Sequence, residues 1–355
     1  MSVAATCRQL YMLAVPLIYR RIHLHDRVKQ PEFLLRRLTK DDSKIPVFIR
    51  EIVINPGYWL NESNLELLVK VISKSMRLEI LSWSCTYNVP EVILQALEQF
   101  CPSTRLIVSA VMYPSLTGRQ EEDTGFSSPT LHSLTCLIPY NPSQRRKAKL
   151  CLFKILKSSP NLRKLVINQE SAGCVMFGWD PNRNVELDVR SQDQLPQLEE
   201  LAFPLFSVQD MVKWGDMGGW ANLRSLKIKN SNILQAFAGR VPCLQSLVAD
   251  VTWNDLQLNK LLFFRLGPLE ELVLNGKEMR FPFDILEAYG KTLTILTVHA
   301  PEPYDPERRS DIPIAELQQL NAICPNLQNL GVDMNRDGEW VSRSRYRTHF
   351  AFCII

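Results

Sequence analysis

The chain has 355 residues, of which 46% are hydrophobic and 22% are charged. These fractions suit a folded protein with a packed interior, and the length allows either two compact domains or one repeat array. Its 41 basic and 37 acidic residues leave a formal net charge of +4. That excess is too small to indicate a nucleic-acid-binding protein.

The nine cysteines include no two that are three positions apart. The sequence therefore lacks the CxxC spacing of zinc and redox sites, and an odd number does not fit a closed disulfide framework. We expect reduced thiols in a cytoplasmic or nuclear protein that binds no metal and no cofactor.

The first 24 residues predict a short helical segment. Cys7, Leu10, Tyr11 and Ala14 fall on one helical face, and Pro16 interrupts the pattern. The apolar run LYMLAVPLIY in this segment is about half as long as the roughly 20 residues of a membrane span. No signal-peptide cleavage site is evident either, so we expect no membrane segment.

Residues 25–44 are predicted to form a connecting helix or linker. Around the start of this region, a predicted strand contains His23 and His25, one on each side of Leu24. These two histidines could form a metal-binding pair. No further histidine follows until His132. A pair of surface histidines is therefore the favoured interpretation.

A six-residue phrase, apolar-x-x-apolar-x-apolar, recurs about eleven times across residues 45–335. A weaker copy, at Thr104, is apparently out of step by one residue. The mean spacing is about 28 residues, which is typical of leucine-rich repeats, and six copies have a proline two residues ahead of them. The copies begin at Ile49, Leu78, Thr104, Leu131, Leu162, Leu198, Leu223, Leu244, Leu269, Leu293 and Leu327.

Between the phrases the apolar spacing becomes helical, as in Leu65, Leu68, Val69 and Ile72 behind a predicted capping box at residues 63–66. Each unit is therefore predicted to be a strand followed by a helix. The predicted fold is an α/β leucine-rich-repeat solenoid, with parallel strands on the concave face, helices on the convex face and a short helical segment at its N-terminus.

Charged side chains on the predicted concave face are of both signs, three basic and five acidic. A nucleic-acid groove would be uniformly basic, so this mixture favours a protein partner and no nucleic acid. The charged positions are Glu51, Lys164, Glu200, Lys227, Lys229, Asp250, Glu271 and Asp333.

A basic run at residues 145–157 alternates with apolar residues. It fits either a helix that binds nucleic acid or anionic lipid, or the solvated face of a repeat helix, and the second interpretation is favoured. The sequence contains no GxGxxG, P-loop, GxSxG or HExxH motif. We therefore predict no catalytic residue and no enzymatic activity.

Two groups of residues resemble a known family. The phrases SPNLRKLVI (159–167) and CPNLQNLGV (324–332) resemble the cysteine-containing leucine-rich repeats of F-box proteins, a resemblance that covers roughly residues 45–335. Residues 3–24 (VAATCRQLYMLAVPLIYRRIHL) resemble the C-terminal half of an F-box.

This resemblance implies a substrate-receptor subunit of an SCF-type ubiquitin ligase, a monomer within a complex that contains an adaptor, a cullin and an unidentified protein substrate. The family's opening leucine-proline-x-glutamate helix has no counterpart in these residues, so we expect weak adaptor binding or none unless such a helix is restored. The alternative is a free-standing leucine-rich-repeat scaffold or inhibitor with no ligase role. The implied adaptor-binding residues are Cys7, Leu10, Tyr11, Pro16, Leu17 and Tyr19.

The substrate is expected on the C-terminal half of the concave face, because the F-box end must face the ligase. The loop at residues 300–313 is expected at the rim of this surface. The predicted substrate-binding residues are Lys227, Lys229, Asp250, Glu271, Asn275 and His299.

The repeat pattern stops near residue 335, and residues 336–355 are predicted to be an irregular, disordered tail. No amphipathic helix follows the last phrase, although a solenoid needs a cap. The valine-serine pair at 341–342 is compatible with a splice-donor sequence. We therefore hypothesise that residues 341–355 are intron read-through.

Overall fold

A computed structural model describes most of the chain, which divides into two compact units. The units comprise Met1–Asp188 with Gln192–Pro196, and Val189–Ser191 with Gln197–Ile355. The tail at 336–355 and the loop at 300–313 lie outside the described residues. The described residues are 8–25, 31–40, 42–55, 57, 59–84, 88–111, 128–138, 142–169, 193–202, 207–229, 231–276, 281–299 and 314–332.

The first unit contains six parallel strands that pair in chain order, with helices between most of them. The strands are β1 (Arg21–His25), β2 (Glu51–Asn55), β3 (Ile80–Ser84), β4 (Arg105–Val111), β5 (Leu131–Ile138) and β6 (Lys164–Gln169). The helices are α1 (Arg8–Ile18), α2 (Pro31–Thr39), α3 (Glu62–Lys74), α4 (Glu91–Phe100) and α5 (Pro142–Ser158), with a short 3-10 helix at Ile45–Phe48.

The second unit repeats this arrangement with six more parallel strands. The strands are β7 (Glu200–Ala202), β8 (Ser225–Ile228), β9 (Ser246–Asp250), β10 (Glu271–Asn275), β11 (Ile295–His299) and β12 (Asn329–Val332). The helices are α6 (Val208–Asp216), α7 (Trp253–Leu258), α8 (Lys260–Phe263), α9 (Phe283–Tyr289) and α10 (Ile314–Ile323), with a 3-10 helix at Ser231–Ala236. The chain is therefore an α/β protein, as predicted.

Strands β2 to β12 fall on the eleven predicted phrases. In β10, Leu272 and Leu274 are fully buried, and the alternating residues Glu271, Val273 and Asn275 are only partly covered. Parallel pairing places Leu272 opposite Leu247 of β9 and Leu296 of β11, which are also fully buried. Each such leucine contributes about 1.5–3 kcal/mol of gross burial free energy, so the ladder of leucines is the main stabilising feature of the sheet.

The sheet begins earlier than the predicted start of the repeats at residue 45. Strand β1 pairs in parallel with β2, placing Ile22 opposite Ile52 and Leu24 opposite Ile54. Ile22 and Leu24 are buried, so they belong to the same apolar ladder. Residues 19–24 have the spacing of the phrase, but tyrosine stands at its first position, where the eleven predicted copies have an aliphatic residue or threonine.

The irregular copy of the phrase at Thr104 is confirmed as out of step. On one side Leu106 of β4 lies opposite Leu81, but on the other side Val108 lies opposite Leu134, and the register shifts between these two pairings. The Thr104 side-chain hydroxyl is buried, and it donates a hydrogen bond to a backbone carbonyl of the preceding repeat at 2.8 Å. This hydrogen bond gives the buried threonine hydroxyl a partner. The other copies of the phrase have an apolar side chain at this position.

The predicted capping box at residues 63–66 is wrong. Asn61 is the N-cap of α3, and its side chain accepts a hydrogen bond from the backbone N–H of Asn64 at 2.9 Å. The buried face of α3 comprises Asn64, Leu68, Val71 and Ile72, whereas Leu65 and Val69 are only partly buried. The predicted apolar stripe is therefore rotated around the helix axis.

Close packing at the end of α9 requires a residue without a side chain. Gly290 caps this helix, and an added Cβ there would overlap the backbone carbonyl oxygen of Ile323 at the end of α10. Glycine lets two successive helix ends approach each other closely.

Replacing Leu272 with aspartate should destabilise the second unit by at least about 4 kcal/mol, because an unpaired carboxylate would enter the leucine ladder. The matched control is Val273→Asp, which introduces the same charge one residue later on the outward side of β10. Thermal unfolding followed by circular dichroism compares the two variants. A Leu272→Asp protein that melts within a degree or two of the parent would show that this side chain is not in the core.

Burial should protect two cysteines from alkylation. Desolvation, followed by the effect of nearby Cys151, raises the pKa of Cys136 to about 12, and desolvation raises the pKa of Cys324 to about 11. Since the thiolate is the reactive form, both side chains stay protonated and unreactive at pH 8. Iodoacetamide followed by peptide mass spectrometry should modify exposed Cys243 in the native protein. It should modify Cys136 and Cys324 only in denaturant, and equal labelling of all three would contradict this fold.

Candidate protein-binding surface

The predicted adaptor-binding residues lie in and around α1, and the structure describes them unequally. Cys7 lies outside the described residues, and Leu10 and Tyr11 are described only as positions in α1. The helix continues through Pro16 to Ile18, although the sequence pattern predicts an interruption there. Proline removes one backbone hydrogen-bond donor without ending the helix. Beyond it, the backbone N–H of Tyr19 donates a hydrogen bond to the Val15 carbonyl at 3.0 Å, which continues the helical pattern.

Helix α1 exposes a row of large apolar side chains. Leu13 is 72% exposed, Leu17 is 73% exposed and Ile18 is 50% exposed, whereas Val15 is 8% exposed and packs inward. Leu13 and Leu17 are one helical turn apart, so they share a face. Of these three exposed residues, the family resemblance indicates Leu17 alone. The four-residue spacing of Leu13 and Leu17 is the signal that would have added Leu13.

Tyr19 is held within the first unit. The guanidinium of Arg37 lies over its ring, with 5.8 Å between the Cζ atom and the ring centroid. Arg37 belongs to α2, so this cation–π contact links α2 to the end of α1. Tyr19 and Pro16 are both half-buried, which leaves Leu17 as the most accessible of the predicted adaptor-binding residues whose side chains are described.

The six predicted substrate-binding residues lie on the outward side of strands β8 to β11, alternating with the buried leucines. Lys227 and His299 are exposed, and Lys229, directly after β8, is exposed as well. The register places Asp250, Asn275 and His299 side by side on three neighbouring strands. Glu271 lies at the start of β10, and it and Asn275 are half-buried.

The two carboxylates on this surface accept hydrogen bonds from neutral neighbours. The Asn275 side-chain amide donates to Asp250 Oδ1 at 2.9 Å, and the Ser246 hydroxyl donates to Glu271 Oε2 at 2.6 Å. These bonds fix the direction in which each carboxylate points. Within the part of the chain that the structure describes, neither Asp250 nor Glu271 forms an ion pair.

Between these carboxylates runs a row of outward residues, of which the sequence analysis named only Lys227. The central row comprises the outward residues Lys227, Val248, Val273, Thr297 and Gly331, which the register places opposite one another. It is apolar at Val248 and Val273, which are partly exposed. The alternation within each strand contains this signal, because each of these residues lies between two inward positions.

The outward strand residues of each unit include charges of both signs. Strand β1 and the shifted β4 add Arg21 and Arg105 to the predicted set, and Asp333 lies outside the described residues. The described set therefore has three basic and one acidic residue in the first unit, and two basic and three acidic residues in the second. Arg21 also pairs across strands with Glu51, at 3.1 Å between Nη2 and Oε1. A mixture of this kind is typical of a surface that binds protein.

The basic run on α5 does not form one basic face. Arg146, Lys147 and Lys154 are exposed, whereas Lys149 is 3% exposed and bonded within the protein. Lys157 pairs with Asp193 at 2.8 Å. The exposed members fit the solvated face of a helix whose apolar side chains pack inward.

The described ranges contain neither a cluster of metal ligands nor a helix that could span a membrane. No three or more histidine, cysteine, aspartate or glutamate residues there are grouped so that they could hold a metal ion. None of the helices in those ranges has the length and apolar character needed to cross a membrane.

Comparison with known proteins identifies no relative: no family model matches the chain, and no curated protein matches it significantly. The resemblance to F-box proteins therefore stays a prediction that rests on the residues quoted for it.

Removing the amide of Asn275 should cost little stability, because water can reach Asp250 in its place. We expect Asn275→Ala to lower the free energy of unfolding by less than about 1 kcal/mol, and Leu274→Ala, one residue earlier, to lower it by about 2–5 kcal/mol. Urea denaturation of both variants measures the difference. Equal losses would mean that the outward side chains belong to the stabilising core and are not available for a partner.

Proposed function

We propose that this chain is the substrate-receptor subunit of an SCF-type ubiquitin ligase. It binds a protein substrate on its outward sheet face, and it binds the adaptor of the ligase through α1 once the family's opening leucine-proline-x-glutamate helix is restored. Partner subunits carry out ubiquitin transfer. The chain is then a non-catalytic protein without a cofactor, a monomer within its complex, in the cytoplasm or nucleus. The observation that carries the proposal is the exposed apolar row on α1.

The apolar row supports docking of a partner on α1. Three large aliphatic side chains, Leu13, Leu17 and Ile18, are exposed within six residues, and water contact with such a group is unfavourable. Val15 is buried, so the helix is fixed to the first unit and presents the row in one direction. A helix held in this way loses little conformational entropy when a partner covers it.

The alternation of strands and helices supports the leucine-rich-repeat part of the proposal. The eleven phrases have a strand each, and the pairings described within each unit are parallel. Stacked units of this type bury a continuous core. In every strand, alternate side chains remain on the outward side, where they can contact a ligand. The mixed charge and the apolar centre of that outward face suit a protein substrate.

The test is capture of the protein from the cells that make it, with an affinity tag introduced at its natural gene. The adaptor and cullin should copurify with the tagged parent protein when it carries the leucine-proline-x-glutamate helix. In that protein, Leu13→Asp with Leu17→Asp should reduce their recovery at least about tenfold, as expected when the centre of an interface is disrupted. Quantitative mass spectrometry measures the recovery of each subunit.

The matched control is Leu258→Asp with Leu261→Asp. These leucines are 82% and 68% exposed in the second unit, so the control makes the same change at similarly exposed positions away from α1. It should leave adaptor and cullin recovery unchanged. Absence of adaptor and cullin from the parent capture would favour the free-standing scaffold. Equal recovery with the α1 variant would show that the adaptor does not bind this helix.

A further inference from the structure

We propose that the outward face of the second unit binds an extended protein segment with the pattern basic-x-aliphatic-x-basic. The two basic side chains pair with Asp250 and Glu271, and the aliphatic side chain covers Val248 and Val273. This inference rests on the proposed function, because that function makes this face the substrate-binding surface.

The carboxylates are prepared to receive cations. Asp250 and Glu271 are each half-buried and oriented by one neutral donor, from Asn275 and Ser246. Neither has a cationic partner among the residues that the structure describes. A carboxylate that is already oriented and partly desolvated binds an incoming ammonium or guanidinium with less loss of entropy than a mobile one.

The spacing of the carboxylates determines the spacing of the cations. Asp250 lies opposite Asn275, which is four residues beyond Glu271 on β10. At about 3.3 Å per residue and about 4.8 Å between strands, the two carboxylates are roughly 14 Å apart. In an extended chain, residues i and i+4 are about 13 Å apart and point to the same side, so two basic residues at that spacing match the surface.

The surface between the carboxylates determines the residue between the cations. Val248 and Val273 lie opposite each other in the central row, two residues before Asp250 and two residues after Glu271 respectively. Residue i+2 of the bound segment points to the same side as its basic neighbours, so its side chain meets these valines. An aliphatic group there removes apolar surface of both partners from water.

Lys227 gives the face a direction. It lies opposite Val248 in the same row, is exposed and forms no ion pair within the described ranges. Its charge, together with that of exposed Lys229 directly after β8, disfavours a third basic residue on the β8 side of the bound segment. On the other side the row ends at Thr297 and Gly331, which are uncharged.

The experiment is selection of a displayed library of random twelve-residue peptides on the purified full chain. The parent protein should enrich peptides with lysine or arginine at i and i+4 and an aliphatic residue at i+2. Asp250→Asn with Glu271→Gln should abolish this enrichment. It should also weaken binding of the synthetic consensus peptide at least about tenfold, as loss of two charge pairs requires.

The matched control is Glu270→Gln. Glu270 immediately precedes Glu271, is exposed and accepts a hydrogen bond from the side-chain amide of Gln245 at 3.2 Å, so this variant loses one negative charge beside the proposed surface. It should select the same peptides as the parent. Reversal of both charges, Asp250→Lys with Glu271→Lys, should replace the basic residues of the selected peptides by acidic ones.

Three outcomes would overturn the inference: no enriched peptides, enriched peptides without the basic pair, or the same peptides selected by the parent and the neutral variant. Thermal unfolding checks that each variant is folded. If the neutral variant is not folded, two measurements on the parent protein test the inference: the enriched peptides, and the effect of salt on binding of the consensus peptide. Binding must weaken as salt rises, since the peptide pairs with two partly exposed carboxylates. Capture of the ligase subunits tests α1 and not this face, so the proposed function and this inference can fail separately.

Discussion

The in-register stacking of inward leucines is the constraint on which the rest of each unit depends. A single strand with its helix cannot bury its apolar side, but a neighbour in the same register covers it, as Leu247, Leu272 and Leu296 do for one another. A slip of one residue would move every leucine of a strand to the outward side. The apolar core therefore fixes the relative position of each strand, and with it the position of every outward side chain.

This constraint explains both what the sequence reveals and what it conceals. The phrase is visible because it repeats, so strands β2 to β12 could be predicted from it. Strand β1 has the phrase only with tyrosine at its first position, and the shift at β4 depends on how Leu106 and Val108 pair with two different neighbours. The N-cap at Asn61 depends on where the chain enters α3. These features depend on how the chain packs in the folded protein. A periodic pattern in the sequence does not show them.

The candidate surface was predictable in its charges and not in its organisation. Alternation within a strand identifies Asp250, Glu271 and Asn275 as outward residues. The sequence does not show that Asn275 orients Asp250 or that Ser246 orients Glu271, because these partners are about 25 residues apart and meet only through the register. Likewise, Arg37 reaches Tyr19 only after α2 has packed against the first unit. Contacts of this kind depend on the assembled sheet.

A consequence is that stability and recognition are assigned to different side chains of the same strand. Leu272 and Leu274 are buried and fix the register, whereas Glu271, Val273 and Asn275 alternate with them on the outward side. Substitutions among the outward residues change charge and shape at a position that the leucines continue to define, at little cost to folding. The register also keeps neighbouring outward residues within hydrogen-bonding distance, so that a carboxylate can be oriented by the next strand. A repeat of this kind can therefore acquire a precise arrangement of binding groups without altering the core that positions them.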